Sequence, residues 1–274
     1  MAETAWSTAL LHHQVLSATF KLAVLGRAID AKLNPMPYVP APSPVRAIPR
    51  PLDPQVQKGV LRRIETWLCH ERGESQYARL LYLLLLGTGL RPGEGLATRW
   101  CDLTREVING VEKTVLYVGA TVAYRGGTTV CKEGRKAGNP YRVVLPNWLG
   151  DELWAEKARV NPASDELPIF RGPRSDSWVS TAVARVTVQA MRAGSDYSEF
   201  RWSDLRDTVA THIATETEDD ARASAQLGHA NGAKSMAQQH YIHQGIRRMV
   251  AVDNSNVLEL LNPFKTGTKL ESAA

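Results

Sequence analysis

The sequence predicts a mostly helical α+β fold, and three observations lead to this prediction. Apolar residues at helical spacing fill most of the chain, whereas residues typical of β-strands occur in two short stretches near its middle. No internal repeat or low-complexity segment interrupts them. The length of 274 residues fits one large domain, or one domain with a smaller attachment. Since 43% of the residues are hydrophobic and 22% are charged, a chain that is disordered throughout is excluded.

The first 51 residues divide into a helix and a proline-rich stretch. Residues 5–30 have a helical pattern in which Leu10, Leu11 and Leu16 fall near one face. Seven prolines follow between residues 35 and 51. Because proline cannot continue a helix or a central strand, this stretch predicts an extended tether. We therefore expect an N-terminal helix within residues 1–31 and a proline-rich linker over 32–51. The helix has too few apolar neighbours to form a domain alone, and a remnant of a core-DNA-binding domain is one interpretation of it.

The main domain is expected over residues 52–248, with a tail over 249–274. Its two strands are expected at 114–123 and 141–145, joined by a connection rich in glycine, lysine and arginine. Its helices are expected at 53–70, 76–86, 92–99, 147–159, 178–192, 203–216, 219–227 and 234–248, and a further helix is expected in the tail at 254–261.

Charge and cysteine content exclude several classes of protein. The net charge of +5 favours a polyanionic partner. The cysteines Cys69, Cys101 and Cys131 are odd in number and lack metal-like spacing, which argues against a disulfide framework or a zinc site and indicates a reducing compartment. The most apolar run, 80–86, is far shorter than the ~20 residues that span a bilayer, and the N-terminus lacks an export signal. We expect a soluble protein that stays where it is made.

The first candidate motif is Thr-Gly-Leu-Arg-Pro-Gly-Glu at residues 88–94. It places Arg91 at a glycine-flanked helix start, where free backbone N–H groups attract anions. A guanidinium adds a planar, permanently charged fork that suits phosphate. The alternative is a structural arginine paired with Glu94 or Asp102, and this motif alone leaves both open.

The second candidate is the connection over residues 124–142. A basic hairpin loop can press a lysine toward a DNA backbone, although such loops are more often solvated turns. The basic residues of this connection are Arg125, Lys132, Arg135, Lys136 and Arg142.

The third candidate is Ser-Asp-Leu-Arg-Asp-Thr at residues 203–208, at the start of a helix. Ser203 or Asp204 fits the N-cap position. The alternative to a functional Arg206 is an arginine that bridges to Asp207 or Glu216.

The fourth candidate joins Leu-Gly-His at 227–229 with His-Tyr-Ile-His at 240–243. Gly228 suits the left-handed position after a helix, which leaves His229 in a loop. A lone histidine or tyrosine is more often structural than reactive, so neither group decides anything singly.

Taken in order, these groups resemble the tyrosine recombinase (phage integrase) family over residues 50–245. The step of 23 residues from Arg206 to His229 is the spacing that the motifs of this family show. The resemblance implies a tyrosine-recombinase-type catalytic domain with a small antiparallel β-sheet or hairpin.

The resemblance also implies roles for single residues. Arg91 and Arg206 correspond to the arginines that clamp the scissile phosphate, Tyr241 to the nucleophile and His229 to the histidine of Leu-Gly-His. Lys136 corresponds to the hairpin lysine, because the stretch from it to Pro146 resembles the family's K-x-x-x-x-x-R-x-x-x-P run. Lys132 is the alternative lysine, and a slip of one residue would select Arg135. Ser203 stands where the family most often has a histidine, and Arg125, Lys132, Arg135 and Arg142 are expected to bind DNA.

The activity implied is site-specific DNA recombination of the phage or mobile-element integrase type, including integration of viral genomes. Strands are cut and rejoined through a 3′-phosphotyrosyl intermediate without metal, ATP or another cofactor. Two alternatives stay open. One is a type IB topoisomerase-like enzyme that religates the same strand, and the other is a non-catalytic DNA-binding protein with the same fold.

The partners implied are double-stranded DNA attachment sites and an accessory DNA-bending protein, in the cytoplasm of a bacterial host and without a membrane. A homotetramer on DNA is expected, with the C-terminal tail docked on a neighbouring protomer; the alternative is a tail packed on its own domain. Since the family adds a larger N-terminal domain, the chain is either a fragment of a longer integrase or a short one.

Overall fold

The computed structural model describes residues 6–43, 48–70, 77–135, 139–172, 177–229 and 251–265. The chain divides into two compact units, Met1–Pro49 and Arg50–Ala274. Within the described residues, no helix is long and apolar enough to cross a membrane.

The first unit is a helix with a returning strap. Helix α1 spans Trp6–Leu25, and Arg27 with φ of 56° turns the chain after it. The Trp6 indole N–H donates to the Pro42 carbonyl over 2.9 Å, and the His13 ring bonds the Val39 carbonyl at 3.0 Å. The proline-rich stretch up to residue 42 is thus folded back on α1 rather than extended as the sequence predicted. Single 3₁₀ turns, which tolerate proline at their start, make this return.

The second unit is mostly helical, as predicted. Its N-terminal and central helices are α2 (Pro54–His70), α3 (Tyr77–Thr88), α4 (Pro92–Gly95) and α5 (Asn147–Val160). The helices that follow are α6 (Thr181–Arg192), α7 (Asp204–Thr217), α8 (Asp220–Gln226) and α9 (Ser255–Leu258). The helix expected at 234–248 lies outside the described residues.

In the described part of the chain, five strands form two antiparallel sheets, where two strands were predicted. They are β1 (Leu103–Ile108), β2 (Val111–Val118), β3 (Ala120–Arg125), β4 (Thr128–Glu133) and β5 (Tyr141–Val144). The strand order β1-β2-β5 makes one sheet, and β3-β4 is a separate hairpin inserted between β2 and β5. The predicted strand 114–123 is therefore two strands, and the connection predicted over 124–142 is largely ordered as hairpin and strand. β1 escaped prediction because half of its six side chains are polar and only Leu103 is buried.

Helix α3 lies at the centre of the core. Leu81, Leu83, Leu84, Leu85 and Leu86 are completely buried. A helix that is apolar on every side is stable only when neighbours surround it, and α2, α5 and α7 pack against α3. Because α3 ends at Thr88, it delivers the Thr-Gly-Leu-Arg motif from the centre of the core.

The described part of the tail packs on its own unit. The Val252 N–H donates to the Arg142 carbonyl over 2.8 Å, and the Val252 carbonyl accepts from the Val144 N–H over 2.9 Å, so Val252 extends the edge of β5. Leu258 is completely buried, and its carbonyl accepts from the Trp148 indole at 3.2 Å. Residues 251–265 therefore follow the alternative in which the tail packs on its own domain.

Candidate active site

The first element of the site is the turn between α3 and α4. Gly89 has φ of +71°, and a Cβ there would lie 2.8 Å from a methyl of Leu227 and 3.0 Å from one of Val209. Any other residue would have a strained backbone, and its Cβ would clash with these methyl groups, so glycine is required. This turn places Arg91 at the N-cap of α4.

Glu94 is a buried carboxylate, 3% exposed, that holds this turn. One of its oxygens accepts from the Arg91 backbone N–H over 3.1 Å, and the other accepts from the Arg91 guanidinium over 3.2 Å. The structural alternative for Arg91, a pair with Glu94, is therefore present. The Arg91 side chain nevertheless keeps a third of its surface exposed, so a ligand can reach it.

Arg206 connects this turn to the loop after α8. It lies in the first turn of α7, whose Leu205, Val209 and Ile213 are completely buried and fix the rotation of the helix. Its guanidinium donates to the Gly89 carbonyl over 2.7 Å and to the Leu227 carbonyl over 3.0 Å.

The electrostatics of Arg206 differ from those of a surface ion pair. Its guanidinium faces carbonyls and His229 rather than Asp207, whose carboxylate instead accepts from the Arg50 backbone N–H over 3.1 Å. Burial, and then the positive charge of Arg91, lower the pKa of Arg206. Since arginine has an ordinary pKa above 12, it stays charged, and two guanidinium groups converge here.

His229 lies beside Arg206 in the site. Gly228, with φ of +59°, ends α8 in the left-handed conformation and directs the chain so that the His229 Nε2 lies 2.9 Å from an Arg206 nitrogen. Because a guanidinium only donates, Nε2 accepts in this contact, and the neutral ring carries its proton on Nδ1. Burial, followed by the charges of Arg206, Arg91 and Arg135, lowers the pKa of His229 below its ordinary 6.5. The imidazole is therefore neutral near pH 7.

Arg135 lies inside the protein, where the sequence predicted an exposed DNA-binding residue. Only 1% of its side chain is exposed, and its guanidinium donates to Glu94 over 3.1 Å. It also stacks at 4.1 Å on the ring of Tyr141, whose buried hydroxyl has no hydrogen-bond partner among the described residues. Burial raises the pKa of this phenol. Direct DNA contact requires exposure, so the structure corrects this expectation for Arg135.

The other basic residues are spread over the hairpin and the sheet. Arg125 ends β3 and Lys132 lies on β4 opposite Thr121, and both side chains are exposed. Arg142 lies on β5 and is bound to Glu106 of β1, so the sheet holds it. Lys136 lies outside the described residues.

Ser203 precedes α7 at the N-cap position and is exposed, but its side chain makes no capping bond. The adjacent Asp204 instead accepts from the Arg201 backbone N–H over 2.8 Å. Tyr241, the expected nucleophile, lies outside the described residues.

The structure thus brings Arg91, Arg206 and His229 together. It adds Glu94, which the sequence offered only as a structural partner of Arg91, and it buries Arg135, which the sequence placed among the basic residues of the hairpin. For Glu94 the signal was its position in the Thr-Gly-Leu-Arg-Pro-Gly-Glu motif. For Arg135 no local pattern distinguished it from its basic neighbours. Three guanidinium groups around one carboxylate leave a net positive charge, which suits a phosphate. Among the described residues, no group of His, Cys, Asp and Glu side chains is arranged to hold a metal ion.

Comparison with known proteins shows the fold. No family model and no curated protein matches the sequence. Among solved structures, the Tn1549 transposon integrase (residues 82–397) in complex with circular intermediate DNA superposes with a TM-score of 0.58 at 16% identity, over 88% of this chain and 76% of that one. A lambda integrase dimer bound to a COC′ core site gives a TM-score of 0.53 at 19% identity, over 89% of this chain.

The matched region is a smaller share of the solved structures, because their chains are longer than this one. The chain spans 61% of that lambda integrase chain and 48% of the XerH site-specific recombinase chain. The superposition on the Tn1549 and lambda integrases confirms the predicted tyrosine-recombinase catalytic-domain fold.

Proposed function

We propose that this chain is a site-specific DNA recombinase of the integrase type, which cuts and rejoins DNA through a 3′-phosphotyrosyl intermediate. The observation that carries the proposal is the convergence of Arg91, Arg206 and His229, in a fold shared with integrases whose structures are bound to DNA.

In the proposed reaction, the Tyr241 hydroxyl attacks a backbone phosphorus and displaces a 5′-hydroxyl. Negative charge grows on the phosphate oxygens in the transition state, and the forks of Arg91 and Arg206 neutralise it. Pre-aimed donors of this kind are often the largest contribution to catalysis, and loss of one costs ~2.7–4 kcal/mol. Because the phosphotyrosyl ester retains the energy of the broken bond, a second 5′-hydroxyl reverses the step without ATP.

Proton transfer is assigned to the remaining polar residues. A tyrosine with a pKa of ~10 is protonated near neutral pH and needs a base. His229 is neutral there, and its Nδ1–H can donate a hydrogen bond to a nonbridging phosphate oxygen. Its Nε2 can accept the tyrosine proton once the Arg206 guanidinium has turned from it to the phosphate. Lys136 protonates the leaving 5′-oxygen, with Lys132 as the alternative, and Ser203 contributes at most a hydrogen bond to the phosphate because a hydroxyl is no acid or base at this pH.

The partner of this site is double-stranded DNA carrying an attachment site, in the cytoplasm of a bacterial host of a phage or other mobile element. Recombination needs two duplexes, and hence several protomers, so we propose a homotetramer on DNA that an accessory DNA-bending protein assists. The exposed hairpin residues Arg125 and Lys132 contribute phosphate contacts, which makes binding weaken with salt.

The test is covalent trapping on nicked duplexes that tile the DNA beside the gene. The wild-type chain is expected to form a protein–DNA adduct that survives denaturation, and Tyr241→Phe is expected to shift DNA on a gel without forming it. Tyr197→Phe is the matched control, because this ring packs against α2 at Gly59, outside the site.

Two other outcomes select the rival functions. A wild-type chain that shifts DNA but never forms the adduct is a non-catalytic DNA-binding protein, the reading that Ser203 in place of histidine favours. Relaxation of a plasmid without an attachment site, and no recombinant from paired sites, indicates topoisomerase-like activity.

A further inference from the structure

Arg135 makes more contacts inside the site than its exposed basic neighbours. Its Nε donates to Glu94 over 3.1 Å, and its Nη1 donates to the carbonyls of Asn139 and Gly228 over 3.0 and 3.1 Å. Its Nη2 donates to the Leu227 carbonyl over 3.4 Å. Only 1% of the side chain is exposed, and the bonds to Glu94 and Leu227 are fully buried. A buried charge bonded in this way fixes whatever it touches, since breaking any bond leaves a desolvated partner.

Arg135 shares its acceptors with both arginines of the proposed clamp. The Glu94 oxygen that it contacts also accepts from the Arg91 guanidinium over 3.2 Å. The Leu227 carbonyl that it contacts also accepts from the Arg206 guanidinium over 3.0 Å. Arg135 therefore shares one acceptor atom with each of the two arginines. It also bonds the carbonyls of Leu227 and Gly228, the two residues that precede His229.

The space around Arg135 is fitted closely. A Cβ on Gly228 would lie 2.6 Å from the Arg135 Nη2 and 2.5 Å from the Tyr141 ring. The guanidinium stacks on that ring at 4.1 Å. A lysine carries the charge, but it lacks the flat fork that bonds a carboxylate and several carbonyls at once.

We propose that Arg135 is a positioning residue of the phosphate site, which sets the places of Arg91, Arg206 and His229 through Glu94 and the carbonyls of Leu227 and Gly228. It touches no substrate, because its side chain is enclosed. This role rests on the proposed function for its effect on DNA cleavage, but not for its effect on the geometry of the site.

The experiment compares three variants of the full chain. Arg135→Met removes the fork at similar length, and Arg135→Lys keeps the charge. Arg79→Met is the matched control, because Arg79 pairs with Glu65 and Glu152 at 3.2 and 2.7 Å elsewhere in the unit. Each variant is checked for folding by circular dichroism, and its affinity for DNA is measured separately from the rate of adduct formation under single-turnover conditions.

The expected result is a split between rate and affinity. Since displacing a catalytic group by about 1 Å can cost about 10²-fold in rate, Arg135→Met should lower cleavage by about that factor while binding DNA almost as well as wild type. Arg135→Lys should recover part of the rate, and Arg79→Met should cleave at the wild-type rate. If Arg135→Met fails to fold, Arg135→Lys decides, and a wild-type rate in it overturns the proposal.

A second readout needs no activity. The His229 ring is faced by Arg206 from α7, by Arg91 and Glu94 from α4, and by Arg135 from the loop after β4. Removal of the Arg135 charge should raise the pH at which His229 titrates in NMR spectra of the DNA-free chain, with the resonance assigned through His229→Gln. If wild type forms no adduct, the proposed function fails, and this titration alone decides. An unchanged titration in Arg135→Met then overturns the positioning role.

Discussion

The packing of the tail on its own unit predicts the effect of shortening Leu258. This side chain is completely buried at the end of α9, under the contacts of Trp148 and His212 with the carbonyls of Leu258 and Val257 at 3.2 and 3.0 Å. Leu258→Ala removes most of the buried side chain and leaves a cavity between the tail and the domain.

The magnitude follows from burial. Replacing a fully buried leucine with alanine costs about 2–5 kcal/mol of unfolding free energy. Leu260 lies two residues further on and is 61% exposed, so Leu260→Ala should change stability by no more than about 0.5 kcal/mol. With a urea dependence of about 3 kcal/mol/M for a unit of this size, Leu258→Ala moves the midpoint down by about 1 M.

The assay is urea unfolding followed by tryptophan fluorescence, to which Trp148 beside the tail contributes. The two variants are measured at protein concentrations that differ a hundredfold. Equal stability of Leu258→Ala and Leu260→Ala would refute the packing of the tail on its own unit. A wild-type midpoint that rises with protein concentration would place the tail on a second protomer instead.

Three further predictions concern the site. Arg206→Ala should slow adduct formation by about 10²–10³-fold, and Arg91→Ala similarly, with DNA binding retained at low salt in gel-shift assays; unchanged single-turnover rates would contradict the clamp. Folding lowers the pKa of His229, so the unfolded chain binds more protons than the folded chain below pH 6.5. The folded state therefore loses stability as the pH falls through that range. His229→Gln should lessen this loss, as measured by urea titrations at pH 7.5 and 5. Gly228→Ala should abolish cleavage and destabilise the unit by at least ~1–2 kcal/mol, because φ of +59° is strained for alanine and the new methyl meets the Tyr141 ring. Wild-type activity in this variant would show that the loop has another conformation in solution.

The sequence was sufficient where the signal is local. The apolar periodicity of α7 and the glycines at positions 89 and 228 are properties of short stretches, and the structure shows the backbone conformations that they require. The order of the motifs then indicated the fold, since Arg91, Arg206 and His229 meet in space although more than 100 residues separate the first from the second.

The sequence was insufficient where a role depends on what packs over a residue. Arg135 and Lys132 are both basic residues of one glycine-containing stretch, yet one is buried against Glu94 and the other is exposed on β4. Likewise, the proline-rich strap was predicted to be extended because no local pattern reveals that Trp6 and His13 bind its carbonyls. Contacts between distant segments decide both cases.

The most direct measurement identifies the residue that carries the DNA. The adduct trapped on a nicked attachment site is digested with nuclease and protease, and the nucleotide-bearing peptide is sequenced by mass spectrometry. We expect the nucleotide on Tyr241. A nucleotide on any other residue would contradict it, as would wild-type chain bound to a cleavable site without any modified peptide.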